Sequence, residues 1–75
     1  MYKIRENKIK ELKDGRNLRA IGEIIGITEQ YLSKIFNGQQ CTKIIAWNLV
    51  ILKENISITD RRKEDLLNYY FEKNT

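Results

Sequence analysis

The stretch LRAIGEIIGITEQYLSKIFN, residues 18–37, holds two apolar patterns of helical period on either side of one glycine. In the first half, apolar residues fall at positions 18, 21, 24 and 25, and Asn17 is a favoured N-cap, so a helix Leu18–Ile25 is predicted. Gly26 can take the left-handed conformation that ends a helix. Thr28 then caps a second predicted helix, Glu29–Phe36.

Gly22 lies inside the first of these helices, where a glycine costs about 1 kcal/mol relative to alanine. That cost is informative, because a residue without a side chain lets the second helix approach closely. Two helices that cross at a wide angle through a turn of three or four residues form a helix-turn-helix. Gly26 allows the chain to reverse direction, and the Ile27 side chain fills the space inside the turn. The stretch therefore has the pattern of a DNA-binding helix-turn-helix.

The sequence pattern predicts further helices in the rest of the chain. The pattern predicts Lys3–Lys13 as the first helix, Lys43–Lys53 as the fourth and Asp60–Lys73 as the fifth, with Asn55–Thr59 as an extended connector or a short strand. The fold class is therefore all-α: a single domain, 1–75, forming a compact five-helix bundle that the last helix, within 60–75, closes. The predicted core comprises Ile9, Leu12, Ile21, Ile25, Ile27, Leu32, Ile35, Ala46, Leu49 and Leu52.

Composition excludes several function classes. The chain has no histidine and one cysteine, Cys41, so neither a metal site nor a disulfide is expected, and no cofactor is implied. No carboxylate pair stands apart from the general surface charge, so we do not expect an enzyme. No apolar run approaches a membrane span of about 18 residues. The first 13 residues lack a signal-peptide core, so a soluble, cytoplasmic protein is expected.

The net charge of +4 is concentrated at one end. Residues 1–19 hold seven basic and three acidic side chains, which is 7 − 3 = +4, whereas 20–59 and 60–75 are each balanced. A basic segment favours a polyanionic partner, although a solvated helix of mixed charge explains it equally well.

Residues 9–52 resemble the Cro/phage-repressor (XRE-type) helix-turn-helix family. The segments IKEL, IGEIIGITEQYLSKIFNG and TKIIAWNLVIL occur in the order typical of that family, and the fold it implies is lambda-repressor-like. Two positions depart from the pattern. Leu18 replaces a glutamine that often begins the second helix, and Cys41 stands where the family often has proline.

The resemblance implies that helix Glu29–Phe36 enters the major groove of double-stranded DNA. Its polar face would read base edges, because amide, ammonium and carboxylate groups suit adenine, guanine and cytosine respectively. Candidates for base reading are Thr28, Glu29, Gln30, Ser33, Lys34 and Asn37. Candidates for phosphate contacts are Arg16, Asn17, Arg19, Gln39, Gln40 and Lys43. Taken alone, such a face is an ordinary solvated surface.

The last predicted helix carries two adjacent apolar rows at i, i+4 spacing. One row can close the core and the other can form a partner interface, for which the candidates are Leu66, Leu67, Tyr69, Tyr70 and Phe71. Ile44, Val50 and Ile51 could extend that surface. A twofold homodimer would present two reading helices to half-sites about one helical turn apart.

The leading functional hypothesis is a small Cro-like repressor from a phage or mobile element that binds an operator. The alternative is an antirepressor or modulator, which uses the same fold to bind a second repressor protein and block its DNA binding. Leu18, the neutrality of residues 20–75 and the apolar last helix favour that alternative. An antitoxin that binds both DNA and a toxin is a third hypothesis.

Overall fold

The first and last segments of the folded chain pair as strands, although the sequence predicted helix in both places. The computed structural model describes residues 1–74. The elements are β1 Tyr2–Ile4, a 3-10 turn Glu6–Lys8, α1 Ile9–Lys13, α2 Leu18–Ile25, α3 Glu29–Phe36, α4 Lys43–Glu54, α5 Lys63–Tyr70 and β2 Phe71–Lys73. The fold is mostly α, with five α-helices and a two-stranded antiparallel sheet in the described part of the chain.

The prediction of one helix over Lys3–Lys13 is wrong in its first half. Tyr2 and Ile4 are buried with Lys3 between them, which is the period-two pattern of a strand. Ile4 pairs with Phe71 and Tyr2 with Lys73. This three-residue strand gains its hydrogen bonds from a strand almost seventy residues away in the sequence, so the local sequence pattern does not predict it.

The last helix is shorter than the predicted Asp60–Lys73 at both ends. α5 begins at Lys63 rather than at position 60, and Phe71 leaves the helix with φ −123° and ψ 149° to begin β2. The segment 55–62 consists of turns, and Asn55 takes a left-handed conformation (φ 53°) that ends α4. The short strand considered for Asn55–Thr59 does not form.

The central helices follow the sequence closely. α2 and α3 have the predicted bounds, and α4 extends one residue further than predicted. Asn17, Thr28 and Thr42 each accept a hydrogen bond from a backbone N–H in the first turn of the helix that follows. These caps satisfy donors that a helix cannot satisfy internally.

One apolar core joins the sheet to the helices. Of the predicted core residues, Leu12, Ile21, Leu32, Ile35, Ala46 and Leu49 are buried, and the other four pack against the core while partly buried. The buried residues that the sequence prediction did not include are Tyr2, Ile4, Phe36, Cys41, Val50, Leu67, Tyr70 and Phe71. The core is therefore centred on the sheet and α5 as much as on α2 and α3.

Candidate nucleic-acid interface

The connection between α2 and α3 is short and closely packed. Gly26 takes φ 83°, and its N–H donates to the Gly22 carbonyl oxygen at 2.7 Å, while the N–H of Ile27 donates to the same oxygen at 3.0 Å. The Ile27 carbonyl oxygen in turn lies against Gly22, where a Cβ atom would collide with it. Both glycines are therefore required by geometry, one by its dihedral angle and the other by the close approach.

α3 has one buried and one exposed side. Leu32, Ile35 and Phe36 are buried in the core. The candidate base-reading residues lie on the opposite side, and all are exposed except Ser33, which is half-buried: Thr28, Glu29, Gln30, Ser33, Lys34 and Asn37. The structure thus brings the whole candidate set onto one accessible face, which we call the α3 polar face.

Two members of the α3 polar face also form hydrogen bonds with the backbone at the ends of α3. The Thr28 hydroxyl oxygen accepts from the Tyr31 N–H at 3.1 Å. The Asn37 side-chain amide donates to the Ser33 carbonyl oxygen at 2.7 Å. These contacts leave the Thr28 hydroxyl hydrogen and the Asn37 amide oxygen available to a ligand. Glu29, Gln30 and Lys34 have no such intramolecular side-chain bond within residues 1–74, so their polar groups are free to meet a ligand.

The start of α2 is flanked by cations. Lys10 and Lys13 from α1, together with Arg16 and Asn17, line one shallow cavity, which we call the basic cavity. The only side-chain ion pair that the described residues form there joins Arg16 to Asp14, at 3.8 Å. Three cations beside the positive end of a helix form a surface suited to a phosphate. The sequence placed Arg16 and Asn17 among the phosphate candidates and allowed the lysines of the first predicted helix to reach the flanking backbone. The fold brings Lys10 and Lys13 into the same cavity as Arg16 and Asn17.

The remaining phosphate candidates are exposed, but two of them already have acidic neighbours. Arg19 lies 3.5 Å from Glu23, and Lys43 lies 3.5 Å from Glu64. Exposed ion pairs of this kind contribute only about 0–1 kcal/mol, so a phosphate can replace the carboxylate at little cost. Gln39 and Gln40 are exposed in the segment that joins α3 to α4.

Lys3 is a cation near the α3 polar face, a position that the sequence did not predict for it. It shares a groove with Asn37 and Gly38 at the end of α3, because β1 runs beside that end. The charge asymmetry of residues 1–19 was the available signal, but a predicted helix over Lys3–Lys13 gave no reason to place Lys3 here.

Trp47 lies between two lysines at the starts of α4 and α5. The ammonium of Lys63 lies 3.9 Å from the ring centre, and that of Lys43 lies 4.6 Å from it. The ring is half-buried and packs against the core. Its indole N–H is buried without a hydrogen-bond partner among the described residues. The Trp47 ring therefore belongs to the edge of the core, where two cations cover it.

The predicted partner interface on the last helix needs correction. Leu67, Tyr70 and Phe71 are each 1% exposed and belong to the core of this chain. Phe71 begins β2, so the second apolar row does not continue along a helix surface. Leu66 is half-buried, and Tyr69 remains 43% exposed. Val50, proposed as an extension of that surface, is fully buried, whereas Ile44 is 66% exposed.

A polar cluster where α1, α4 and α5 meet completes this end of the molecule. The Tyr70 hydroxyl donates to a Glu54 carboxylate oxygen at 2.5 Å, and the Tyr69 hydroxyl donates to Glu11 at 3.1 Å. Burial, followed by the Glu54 carboxylate, raises the pKa of Tyr70 far above its ordinary value. The hydrogen bond to Tyr69 raises the pKa of Lys8. These groups satisfy one another and tie the last helix to α1 and α4.

The described residues contain neither a metal-binding cluster nor a membrane-spanning helix. Within 1–74, no three His, Cys, Asp or Glu side chains are arranged to hold a metal ion. None of the helices there has the length and apolar character needed to cross a bilayer. Comparison of the chain with protein-family models, curated proteins and solved structures gives no match.

Proposed function

We propose that the chain is a small sequence-specific DNA-binding transcriptional regulator, in which α2 and α3 form a helix-turn-helix and α3 enters the major groove. The observation that carries this proposal is the α3 polar face, which is exposed except at Ser33. Lys3 lies beside the end of α3, and the basic cavity lies at the start of α2. A major groove about 12 Å wide admits an α-helix. Phosphates on either side of it require cations beside that helix.

The residues divide into two roles. Gln30 and Lys34 read bases, since a glutamine amide pairs with both polar atoms of the adenine edge and an ammonium donates to guanine. Lys10, Lys13 and Arg16 bind phosphate and fix the register of α3 on the duplex. Glu29 either accepts from cytosine or orients a neighbouring cation. The protein acts by covering a promoter, as a Cro-like repressor of phage or mobile-element type does.

The antirepressor alternative loses one of its three supports. The apolar last helix favoured it, and most of that stripe is now in the core. Leu18 in place of glutamine and the neutrality of residues 20–75 still favour it. Measured DNA binding separates the two functions, because an antirepressor of this kind would bind a repressor protein tightly and DNA weakly without sequence preference.

The first test is fluorescence anisotropy with duplexes that flank the chain's own gene and with scrambled duplexes, at several salt concentrations. Gln30→Ala/Lys34→Ala is expected to lose the preference for one duplex, since each good base contact contributes about 1–3 kcal/mol of discrimination. Lys10→Ala/Lys13→Ala is expected to weaken binding to every duplex. It should also lower the slope of log K against log salt by about 1.8, at about 0.9 per phosphate contact.

The matched control is Arg61→Ala, which removes one positive charge from the exposed segment between α4 and α5. It should leave the preference unchanged. Equal, weak binding of wild type to all duplexes would reject the proposed function. Retained preference in Gln30→Ala/Lys34→Ala would reject α3 as the reader.

A further inference from the structure

A cavity of about 450 Å³ opens where α1, α4 and α5 meet, and we call it the α5 cavity. Its lining combines charged groups with an apolar wall: Glu11, Glu54, Arg62, Asp65, Leu66, Tyr69 and Tyr70. Small-molecule sites typically measure about 300–1,000 Å³ and place a few polar groups on a largely apolar lining. The α5 cavity has that size and makeup, and it shares no residue with the α3 polar face or the basic cavity.

Hydrogen-bond acceptors outnumber donors in the α5 cavity. Tyr70 is 1% exposed, and its hydroxyl gives its only proton to Glu54 at 2.5 Å. Glu11 Oε2 lies 3.5 Å from the same hydroxyl, which has no second proton to give. The Tyr69 hydroxyl spends its proton on Glu11 at 3.1 Å. Among the described residues nothing donates to the buried Tyr70 oxygen, so this acceptor is unfilled beside two carboxylates.

The cations of the chain do not supply the missing donor. The ammonium groups of Lys8 and Lys53 lie 3.6 and 3.7 Å from the two glutamates. A charge-assisted hydrogen bond is shorter, at about 2.7–2.9 Å. Arg62 lines the cavity, but its guanidinium makes two hydrogen bonds to Asp60, at 3.1 and 3.2 Å. The lining is therefore acidic on balance, with three carboxylates and one cation, in a chain whose net charge is +4.

We propose that the α5 cavity binds an aliphatic diamine. A primary ammonium group carries three N–H donors and no acceptor, which matches the Tyr70 oxygen and the two carboxylates beside it. Asp65 lines the same cavity, and its side chain forms no hydrogen bond or ion pair within residues 1–74. It is the partner for a second ammonium group at the other end of the ligand.

The apolar part of the lining favours an organic cation over a hydrated metal ion. Leu66 and the two tyrosine rings offer apolar surface to a methylene chain, whose burial is favourable. An aromatic face also attracts a cation directly. Lys8 already uses Tyr69 in this way, with its ammonium 3.9 Å from the ring centre. No three acidic side chains in the described part of the chain are placed to hold a metal ion.

Chemical-shift titration of the isotope-labelled chain with putrescine, an aliphatic diamine, tests the proposal at constant ionic strength and without nucleic acid. We expect saturable shifts in α5 and near Glu11 and Glu54, with a dissociation constant of about 1 mM. Butylamine has the same chain length and one ammonium group. It should bind about fivefold more weakly, which is the effect of one exposed ion pair. Butanediol has no charge and should not bind.

Three variants locate the ligand. Glu54→Gln should weaken putrescine binding at least about tenfold, because a hydrogen bond to a charged group is lost. Asp65→Asn should lower the affinity for putrescine to that for butylamine. Asp65 is exposed, so this variant is expected to fold normally. Glu23→Gln is the matched control, since it removes an exposed carboxylate from α2, away from the cavity. Circular dichroism checks that each variant is folded.

No saturable shift up to about 20 mM putrescine would overturn the proposal, since a built site for this ligand binds more tightly than that. Equal binding of butanediol, or unchanged affinity in the folded Glu54→Gln and Asp65→Asn variants, would overturn it as well. The same shifts with magnesium chloride at equal ionic strength would show a general response to cations and reject the diamine. DNA binding enters none of these measurements, so the proposed function and this inference can fail separately.

Discussion

Gly22 lies directly against the backbone carbonyl of Ile27, and that contact fixes how closely α3 approaches α2. The carbonyl oxygen of Gly22 accepts from both Gly26 and Ile27, so the same residue also ends the helix. A single position therefore controls both the turn and the helix packing. The close approach does not tolerate a side chain at Gly22 without movement of the backbone.

Gly22→Ala is expected to destabilise the fold. Helix propensity alone predicts a gain of about 1 kcal/mol for alanine inside a helix. The added Cβ meets a backbone oxygen, which cannot rotate away, and overpacking typically costs about 1–3 kcal/mol. We expect a net loss in the free energy of unfolding, measured by urea denaturation. Ala20→Gly, on the exposed side of the same helix, isolates the propensity term. A stabilised Gly22→Ala variant would contradict the close approach.

Thr28→Ala is expected to lower the free energy of unfolding by about 1 kcal/mol, because the cap of α3 is lost. The Thr28 oxygen accepts from the Tyr31 N–H at 3.1 Å, and alanine leaves that donor to water. Thr28→Ser retains the hydroxyl and should stay close to wild type. Thermal denaturation followed by circular dichroism measures both. If serine and alanine destabilise equally, the cap is not the cause.

Tyr70→Phe is expected to cost about 1–3 kcal/mol of unfolding free energy, since it removes the donor to Glu54 without changing the packing of the ring. Glu54 is half-buried and keeps a neighbouring cation, Lys53, at 3.7 Å. Tyr70→Phe/Glu54→Met removes both partners and should be less destabilised than the sum of the two single variants. Additivity of the single effects, determined by chemical denaturation, would show that the hydrogen bond contributes little.

Cys41 makes stability depend on pH above 9. Its side chain is fully buried, and desolvation raises the pKa of its thiol from 9.0 to about 11. Between those values the unfolded chain loses the thiol proton and the folded chain keeps it, so rising pH favours unfolding. By pH 11 this difference in proton binding lowers the free energy of unfolding by up to about 2–3 kcal/mol. Cys41→Ala should show a correspondingly shallower decline between pH 9 and 11.

Thiol labelling checks the same burial. Native protein at pH 8 should react with a thiol reagent far more slowly than protein unfolded in urea, because the buried thiol stays protonated. Equal rates in the two states would show that Cys41 is accessible, and the pH dependence above would then have another source.

The sequence by itself determined the middle of the molecule. α2, α3 and the start of α4 follow from local chemistry: caps at Asn17, Thr28 and Thr42, and a left-handed glycine at position 26. The accessible side of α3 follows from helical period once Leu32 and Ile35 are buried. Local interactions decide these features, so the sequence around each helix start and turn was sufficient to predict them.

Only the tertiary structure decided the ends of the chain and everything that depends on them. Ile4 pairs with Phe71 across the whole length of the sequence, and no local period reveals a strand three residues long. That pairing places Lys3 beside the end of α3. It also buries Leu67, Tyr70 and Phe71 in the core. Burial depends on which elements meet in space. An apolar stripe shows that a surface will be covered, and only the fold determines whether the same chain covers it.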